Sequence, residues 1–215
     1  MPENQAHGKF WEQELARNVY RATDAELASI SHTASIDIPS ACNHLDCTDV
    51  SIKVTGGRSV DMGDVVRVYN EVSSGEPIHL VVVSWKQVTA TTKRLQRIVE
   101  IDLTNSVELL FGTATIADIK ALVDYVKSVP NYGRTAVHQA NYKNMAADIS
   151  RRCGGALRYA PKVDSKSQRR VQCSFRNFLQ FAQQNSERVI AESDTCEFRG
   201  GTIADTCLST RRVRN

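Results

Sequence analysis

Five short segments rich in β-branched residues constrain the fold of this chain most strongly. They are residues 35–38, 50–55, 79–86, 97–103 and 108–111. Runs of this composition, separated by glycines and polar residues, are typical of strands. We therefore expect a central mixed β-sheet of about five strands.

Helical patterns lie before, between and after these segments. Over residues 8–30 apolar side chains recur at near-helical spacing, which predicts one amphipathic helix, or two with a break near Thr23. Thr115 and Asp118 form a predicted capping box that opens a helix to about residue 129. Further helices are predicted over residues 61–72 and 134–152. Helices interleaved with strands favour an α/β or α+β fold with helices on the faces of the sheet.

The length and composition are those of a globular protein. With 215 residues the chain fits a single domain, which we divide into a core over 8–111 and a further region over 151–180. The polar start and the lack of a long apolar run predict a cytoplasmic protein. The six cysteines form no CxxC pair, and Cys42 and Cys47 near His44 give only a weak zinc pattern.

Positive charge is concentrated in one stretch of the chain. Residues 151–176 contain eight basic residues against the single acid Asp164, a net charge of +7. Because the whole chain carries +3, the remainder carries 3 − 7, or −4. Such an asymmetry predicts a polyanionic partner.

The predicted strand from Asp49 to Thr55 alternates strictly. Asp49, Ser51 and Lys53 face one way, and apolar residues face the other. A carboxylate that binds Mg²⁺ and an ammonium group that orients the attacking water suit phosphodiester hydrolysis. The alternative is an ordinary half-exposed strand with a solvated polar face.

Carboxylates on the first helix and polar groups after the third strand are further candidates. Glu14 projects inside the apolar arc of the helix, where it needs a metal ion or a cation, although it could instead pair with Arg17, Arg21 or a backbone group. Glu12 is the second choice. The strand over 79–86 leads into Lys86 and Gln87, which could face the same cleft.

Asp49 followed by Ser51-x-Lys53, with a glutamate on the preceding helix, resembles the active centre of PD-(D/E)xK nucleases, which include type II restriction endonucleases. The resemblance covers mainly residues 8–103 and implies a restriction-endonuclease-like fold with a Mg²⁺ cofactor. Asp49, Ser51, Lys53, Glu14 and Gln87 would then be catalytic.

The chain departs from the family pattern because Ser51 stands where a second acid is expected. In similar enzymes a following helix supplies the missing carboxylate, and Asp64 is the expected metal ligand beside Asp49 and Glu14. Asp61 and Glu71 are alternatives to Asp64, and Asp37 and Asp46 compete with Asp49 as the first acid.

The basic stretch also contains two predicted strands, residues 156–163 and 169–175, around a polar turn. We expect a C-terminal basic β-hairpin that enters the major groove, although each of its residues could simply be solvated. Its predicted DNA-binding residues are Lys162, Asp164, Ser165, Lys166, Gln168, Arg169, Arg170 and Gln172.

Together these patterns predict a Mg²⁺-dependent, sequence-specific endonuclease of double-stranded DNA, that is, a type II site-specific deoxyribonuclease. Residues 8–111 would form its catalytic core, and residues 151–180 its DNA-recognition region. The expected partners are a second copy of the chain, for a palindromic site, and a companion DNA methyltransferase. Three alternatives remain: a non-catalytic DNA-binding regulator, a nuclease of repair or RNA processing, and a protein-interaction domain.

Overall fold

The structure is a computed structural model that describes residues 3–31, 36–130, 135–163 and 168–208, with side chains from residue 9 onward. The helices are α1 Glu3–Asn18, α2 Asp24–Ser29, α3 Val65–Ser73, α4 Val107–Phe111, α5 Ile116–Ser128, α6 Ala136–Cys153 and α7 Phe178–Gln184. The strands are β1 Asp49–Thr55, β2 Val60–Asp64, β3 Ile78–Gln87, β4 Thr92–Asp102, β5 Leu157–Val163, β6 Arg169–Phe175, β7 Val189–Ser193, β8 Glu197–Phe198, β9 Gly201–Thr202 and β10 Thr206–Leu208.

The prediction of a mixed central sheet flanked by helices is confirmed. Its strands run in the order β1-β3-β4-β10, and β7 also pairs with β4. β1 is parallel to β3, whereas the pairings of β4 with β3, β7 and β10 are antiparallel. The sheet is therefore mixed, and β1 forms one of its edges.

The contacts divide the chain into two compact units. The first unit contains Met1–Arg58, Pro77–Thr104 and Ala182–Asn215, and the second contains Ser59–Glu76 and Asn105–Phe181. The single domain, its core over 8–111 and its recognition region over 151–180 stay predictions.

The core of the first unit lies between α1 and the central sheet. Trp11 and Leu15 of α1 are fully buried against Ile52 of β1 and Val81 of β3. The Trp11 indole also donates a hydrogen bond to the carbonyl of Ala204 at 3.0 Å. Because α1 packs on the edge strand, polar residues on the same helix can reach the edge of the sheet.

The second unit contains a three-stranded antiparallel sheet in the order β2-β6-β5. Val171, Cys173 and Phe175 alternate along β6 and are buried, whereas the residues between them are more exposed. The predicted pair of strands in the basic stretch is thus present as β5 and β6. Helix α6 ends where Gly154 adopts a left-handed conformation, φ 75°.

Three predicted elements differ from the structure. Of the predicted strand over 35–38, the described residues 36–38 form no strand, and Ile38 makes only an isolated bridge to Val50. Residues 108–111 belong to α4 and not to a strand, because Leu110 N–H bonds to the Ser106 carbonyl and Gly112, at φ 61°, ends the turn. A short apolar run does not distinguish a buried strand from a buried helical turn.

The predicted helix over 61–72 begins only at Val65. Residues 60–64 form β2, which pairs with β6 and contains Gly63 at φ 92°, a backbone conformation outside the helical region. The remaining strands of the central sheet come instead from the last part of the chain, as β7 and β10. Among the described residues, no helix has both the length and the apolar character needed to cross a bilayer.

Candidate active site

The edge of β1 is partly covered by the segment before it. Asp37 and Ile38 bond to the backbone of Val50 at 2.8 to 3.1 Å. Further along this edge, the backbone N–H of Ile52 donates its hydrogen bond to the Asp37 carboxylate, at 2.6 Å, and not to a neighbouring strand. The backbone of β1 therefore holds this carboxylate in place.

The ammonium group of Lys53 lies beside the same carboxylate. Its Nζ is 3.4 Å from Asp37 Oδ2 and donates to Ser51 Oγ at 2.8 Å. A third bond, to the Ile52 carbonyl at 3.0 Å, bends the side chain back along the strand edge. The structure thus brings together the predicted Ser51 and Lys53, with Asp37 as their acidic partner.

Helix α1 contributes a second carboxylate, from Glu12. Burial, and then the negative charge of Asp37, raise the pKa of Glu12 to about 7, while the positive charges of Lys53 and Lys9 act in the opposite direction. A cavity of about 230 Å³ adjoins the two carboxylates. It is lined by Lys9, Glu12, Gln13, Ala16, Leu27, Ile30, Ser31, Ile36 and Asp37.

The chemistry of this donor set fits a divalent cation. Burial, and to a lesser extent the charge of Asp37, disfavours ionisation of Glu12, so a cation beside the two carboxylates would be favourable. Carboxylate oxygens are hard ligands of the kind that Mg²⁺ prefers. Glu12 and Asp37 could hold such an ion, and Lys53 could face a phosphate bound to it.

Two predicted acids of the first unit have structural partners elsewhere. The Glu14 carboxylate accepts the N–H of Ala204 at 3.0 Å and the side-chain amide of Asn18 at 3.3 Å. The Asp49 carboxylate accepts the N–H of Ser40 at 2.6 Å. Neither bonds to Lys53 within the described part of the chain.

The polar groups at the end of β3 are not brought to this site. Val82 is the partner of Lys53 in the sheet, and Gln87 lies five residues further along the strand. At about 3.3 Å per residue, this separation is roughly 16 Å. The Gln87 amide instead donates to the Thr89 carbonyl at 2.7 Å, and Lys86 is exposed.

The acids proposed to replace the missing carboxylate belong to the second unit. Asp64 caps α3, where it accepts the N–H groups of Val66 and Arg67 at 3.1 Å each. Asp61 accepts the N–H of Gly63 at 2.9 Å, and Glu71 lies 3.7 Å from the Arg67 guanidinium.

The sequence did contain a signal for Glu12. Ala16 and Val19, four and seven positions after it, are both buried and lie on the same side of the helix. Counting Ala16 as apolar moves the centre of the buried face toward Glu12 and away from Glu14. No sequence spacing points to Asp37, because its position depends on pairing with β1 across an irregular loop.

A second cluster of polar groups lies in the first unit. Asp46, His79 and Glu100 form a candidate metal-binding triad, whose ligand atoms lie within 4.8 Å of one another. The Arg199 guanidinium is 2.7 Å from Asp46 and 2.8 Å from Glu100. Although burial opposes it, hydrogen bonds from Thr48 and Arg199 lower the pKa of Asp46.

The described part of the predicted recognition region has an exposed basic face. Lys162 of β5 lies directly opposite Arg170 of β6, and both are exposed. Gln172, next on the same face of β6, is partly exposed, and Gln168 is exposed just before the strand. The Arg169 guanidinium instead donates to backbone carbonyls, Val129 at 2.9 Å among them. Asp164, Ser165 and Lys166 lie outside the described residues.

Cys42 and Cys47 do not form a zinc site with His44. The His44 ring lies 2.9 Å from the Glu26 carboxylate, Cys42 is buried and Cys47 is exposed.

Comparison with protein-family models, with curated proteins and with solved structures finds no match to this chain.

Proposed function

We propose that this protein is a Mg²⁺-dependent endonuclease of double-stranded DNA, related in fold and active centre to the PD-(D/E)xK nucleases. The observation that carries the proposal is the ammonium group of Lys53, 3.4 Å from the Asp37 carboxylate and 2.8 Å from the Ser51 hydroxyl. Glu12 adds a carboxylate with unusually high proton affinity. In this proposal Asp37 takes the place of Asp49 as the first acid, and Glu12 that of Glu14.

Each residue has a distinct task. Asp37 and Glu12 bind Mg²⁺, and a bound Mg²⁺ lowers the pKa of water and neutralises charge on the phosphate. The Lys53 ammonium orients the attacking water or stabilises the charge that develops on the phosphate oxygens. The Ser51 hydroxyl, an acceptor for Lys53 at 2.8 Å, holds the ammonium in position.

The basic face of the small sheet is the proposed contact with DNA. Like charges directly opposite one another in a sheet are destabilising, so the pair of Lys162 and Arg170 lowers stability unless an anion lies over it. Among the described residues, neither side chain has an ion-pair partner. A phosphate backbone would supply that anion, and Gln172 beside the pair could read a base edge.

The remaining parts of the proposal follow from a restriction-type activity. A palindromic target would require a homodimer, and self-protection would require a companion DNA methyltransferase. Both activities would operate in the cytoplasm.

The test is incubation of the purified protein with unmethylated phage DNA, in Mg²⁺ and in EDTA. We expect discrete fragments in Mg²⁺ alone, and their loss in Lys53→Ala and Asp37→Asn. Asn at position 37 can still accept the Ile52 N–H, so this variant removes charge with little change in structure. Asp49→Asn is the matched control, because the Asp49 carboxylate bonds to a backbone N–H of a loop, and this variant should cleave normally.

The outcomes separate the alternatives. Loss of cleavage in Asp49→Asn but not in Asp37→Asn would show that Asp49, and not Asp37, is the first acid. DNA binding by the wild type without cleavage, on several unmethylated substrates, would refute the nuclease and favour a DNA-binding regulator.

A further inference from the structure

The cluster of Asp46, His79 and Glu100 has an imbalance of charge. With His79 neutral, as a metal-ligating imidazole is, Asp46 and Glu100 together carry −2 when ionised and Arg199 supplies only +1; a protonated His79, 2.9 Å from Glu100, would supply the second positive charge. The Glu100 side chain is 0% exposed, so water cannot make up the difference there. A buried net charge is costly, and burial of this kind calls for a further cation.

Two buried polar atoms beside the cluster are poorly satisfied. Glu100 Oε2 and the Tyr20 hydroxyl form no well-aligned hydrogen bond among the described residues, although the two groups lie close enough to interact with each other, and both residues are 0% exposed. Poorly satisfied buried polar groups are rare in proteins, and a bound cation beside Glu100 is one arrangement that would satisfy its second oxygen.

The three ligands come from separate elements that the sheet fixes in place. His79 lies in β3 and Glu100 in β4, which are paired strands, and Asp46 lies in the loop before β1. Asn43 and Thr48 donate hydrogen bonds to one oxygen of Asp46, at 2.7 and 2.8 Å, and so orient the other oxygen toward the cluster. Supporting hydrogen bonds of this kind are typical of metal-ligating carboxylates.

We propose that Asp46, His79 and Glu100 bind a divalent transition-metal ion, for which the Arg199 guanidinium is the competing cation. One imidazole and two carboxylates suit Zn²⁺ better than Mg²⁺, which prefers oxygen ligands alone. A divalent ion would balance both carboxylates and would give Glu100 Oε2 a partner.

Arg199 can leave the cluster because of where it lies. It occupies the two-residue turn between β8 and β9, with φ 48°, and its side chain is 18% exposed. Rotation of this long side chain into solvent would open the triad. Asp46 and Glu100 would then exchange one guanidinium for one metal ion.

The experiment measures Zn²⁺ binding in an Asp37→Asn background, so that the proposed Mg²⁺ site does not contribute. Equilibrium dialysis with Zn²⁺ should give about one bound ion per chain. His79→Asn should lose that ion. Arg199→Gln should bind Zn²⁺ about tenfold more tightly or better, because the competing cation has been removed.

Zn²⁺ binding by Arg199→Gln separates a metal site from a purely structural ion-pair network. In a structural network Arg199→Gln would lower stability and bind no metal ion. Addition of Zn²⁺ to the wild type should also raise its Tm, because a ligand of the folded state alone stabilises it.

A measurement on the unaltered triad guards against variants that fail to fold. Co²⁺ added to the Asp37→Asn protein should give visible absorption bands of nitrogen and oxygen ligation, which excess Zn²⁺ abolishes. Absence of stoichiometric Zn²⁺ and Co²⁺ binding in both the Asp37→Asn and the Asp37→Asn/Arg199→Gln proteins would overturn the proposal. That result would leave the nuclease proposal untouched, since cleavage is assayed with Mg²⁺ in the wild type.

Discussion

At the scale of single residues, the proton on Glu12 links the candidate active site to the stability of the protein. Burial and the charge of Asp37 make ionisation of this carboxyl more costly in the folded chain than in the unfolded chain. The candidate site is thus an electrostatically unfavourable arrangement when no cation is bound. Perturbation of this kind is common where function, and not stability, determines the choice of residue.

A pH titration of stability tests this point. The pKa of Glu12 is about 7 in the folded protein and about 4.5 in the unfolded chain, so the folded state retains the proton longer. In EDTA the free energy of unfolding should therefore fall as the pH rises from 4.5 to 7. The loss should reach at most roughly 3 kcal/mol above pH 7, since one pKa unit corresponds to about 1.4 kcal/mol.

Glu12→Gln provides the comparison. In urea unfolding curves without metal, this variant should show a flatter dependence on pH, and above pH 7 it should be more stable than the wild type. Added Mg²⁺ should stabilise the wild type more than the variant. A difference between the two proteins that is the same at pH 5 and pH 8 would contradict the assignment.

At the scale of the helices and strands, two glycines in the second unit join the ends of two helices. Gly112, at the end of α4, and Gly154, at the end of α6, both have positive φ and form an isolated bridge. A Cβ atom at Gly112 would meet the carbonyl of Cys153, whereas one at Gly154 would have nothing within 4 Å. Their conformations are alike, and the space around them differs.

This contrast gives a matched pair of variants. Gly154→Ala should cost about 1 kcal/mol, the usual cost of a left-handed conformation for a residue with a Cβ atom. Gly112→Ala should cost several times more, because backbone must move away from backbone. Chemical denaturation of both variants checks this, and equal losses would show that the α4–α6 contact is loose.

The same elements show what the sequence could and could not predict. The start of α5 was predictable because Thr115 and Asp118 form a capping box through their own side chains. α4 was not, because its sequence fits a strand equally well, and its state depends on the packing of Phe111 against Tyr69, with ring centroids 5.1 Å apart. Local signals thus predict where a helix such as α5 begins, whereas contacts between residues distant in sequence determine whether an ambiguous segment such as α4 is a helix or a strand.

The residues of the candidate site also fall into those that local sequence predicts and those that distant contacts bring in. Ser51 and Lys53 follow from alternation within one strand, which is a local property. Asp37 reaches them through a pairing that skips a loop, and Glu12 reaches them through the packing of α1 on β1. Helical spacing indicates that Glu12 faces the buried side of α1, but it does not show that α1 packs on β1, and no spacing links Asp37 to Lys53. Both residues were therefore predicted only as alternatives.

At the scale of the whole molecule, the net charge of +3 combines a basic face with an otherwise acidic chain. Replacement of both Lys162 and Arg170 by Gln should weaken binding to any duplex. The slope of log K against log salt should fall by about 2, because two fewer counterions are released. The same double variant should be slightly more stable, because the like charges no longer face one another.

Arg151→Gln is the control for this measurement. Its guanidinium lies 2.9 Å from Asp148 on the same helix, so its charge is already paired. Fluorescence anisotropy at several salt concentrations would compare the proteins. An unchanged salt slope in the Lys162 and Arg170 double variant would place the DNA contact elsewhere.

The division of the chain into units has a consequence for its synthesis on the ribosome. The second unit is complete once Phe181 has been made, but the central sheet still awaits β7 and β10, which end at Leu208. At about 5 to 20 residues per second, these last 27 residues take roughly 1 to 5 s. During that interval one side of β4 offers unpaired N–H and C=O groups to any passing strand. Until β7 and β10 have been made, this side of β4 should therefore be the part of the nascent central sheet that is most open to pairing with another chain.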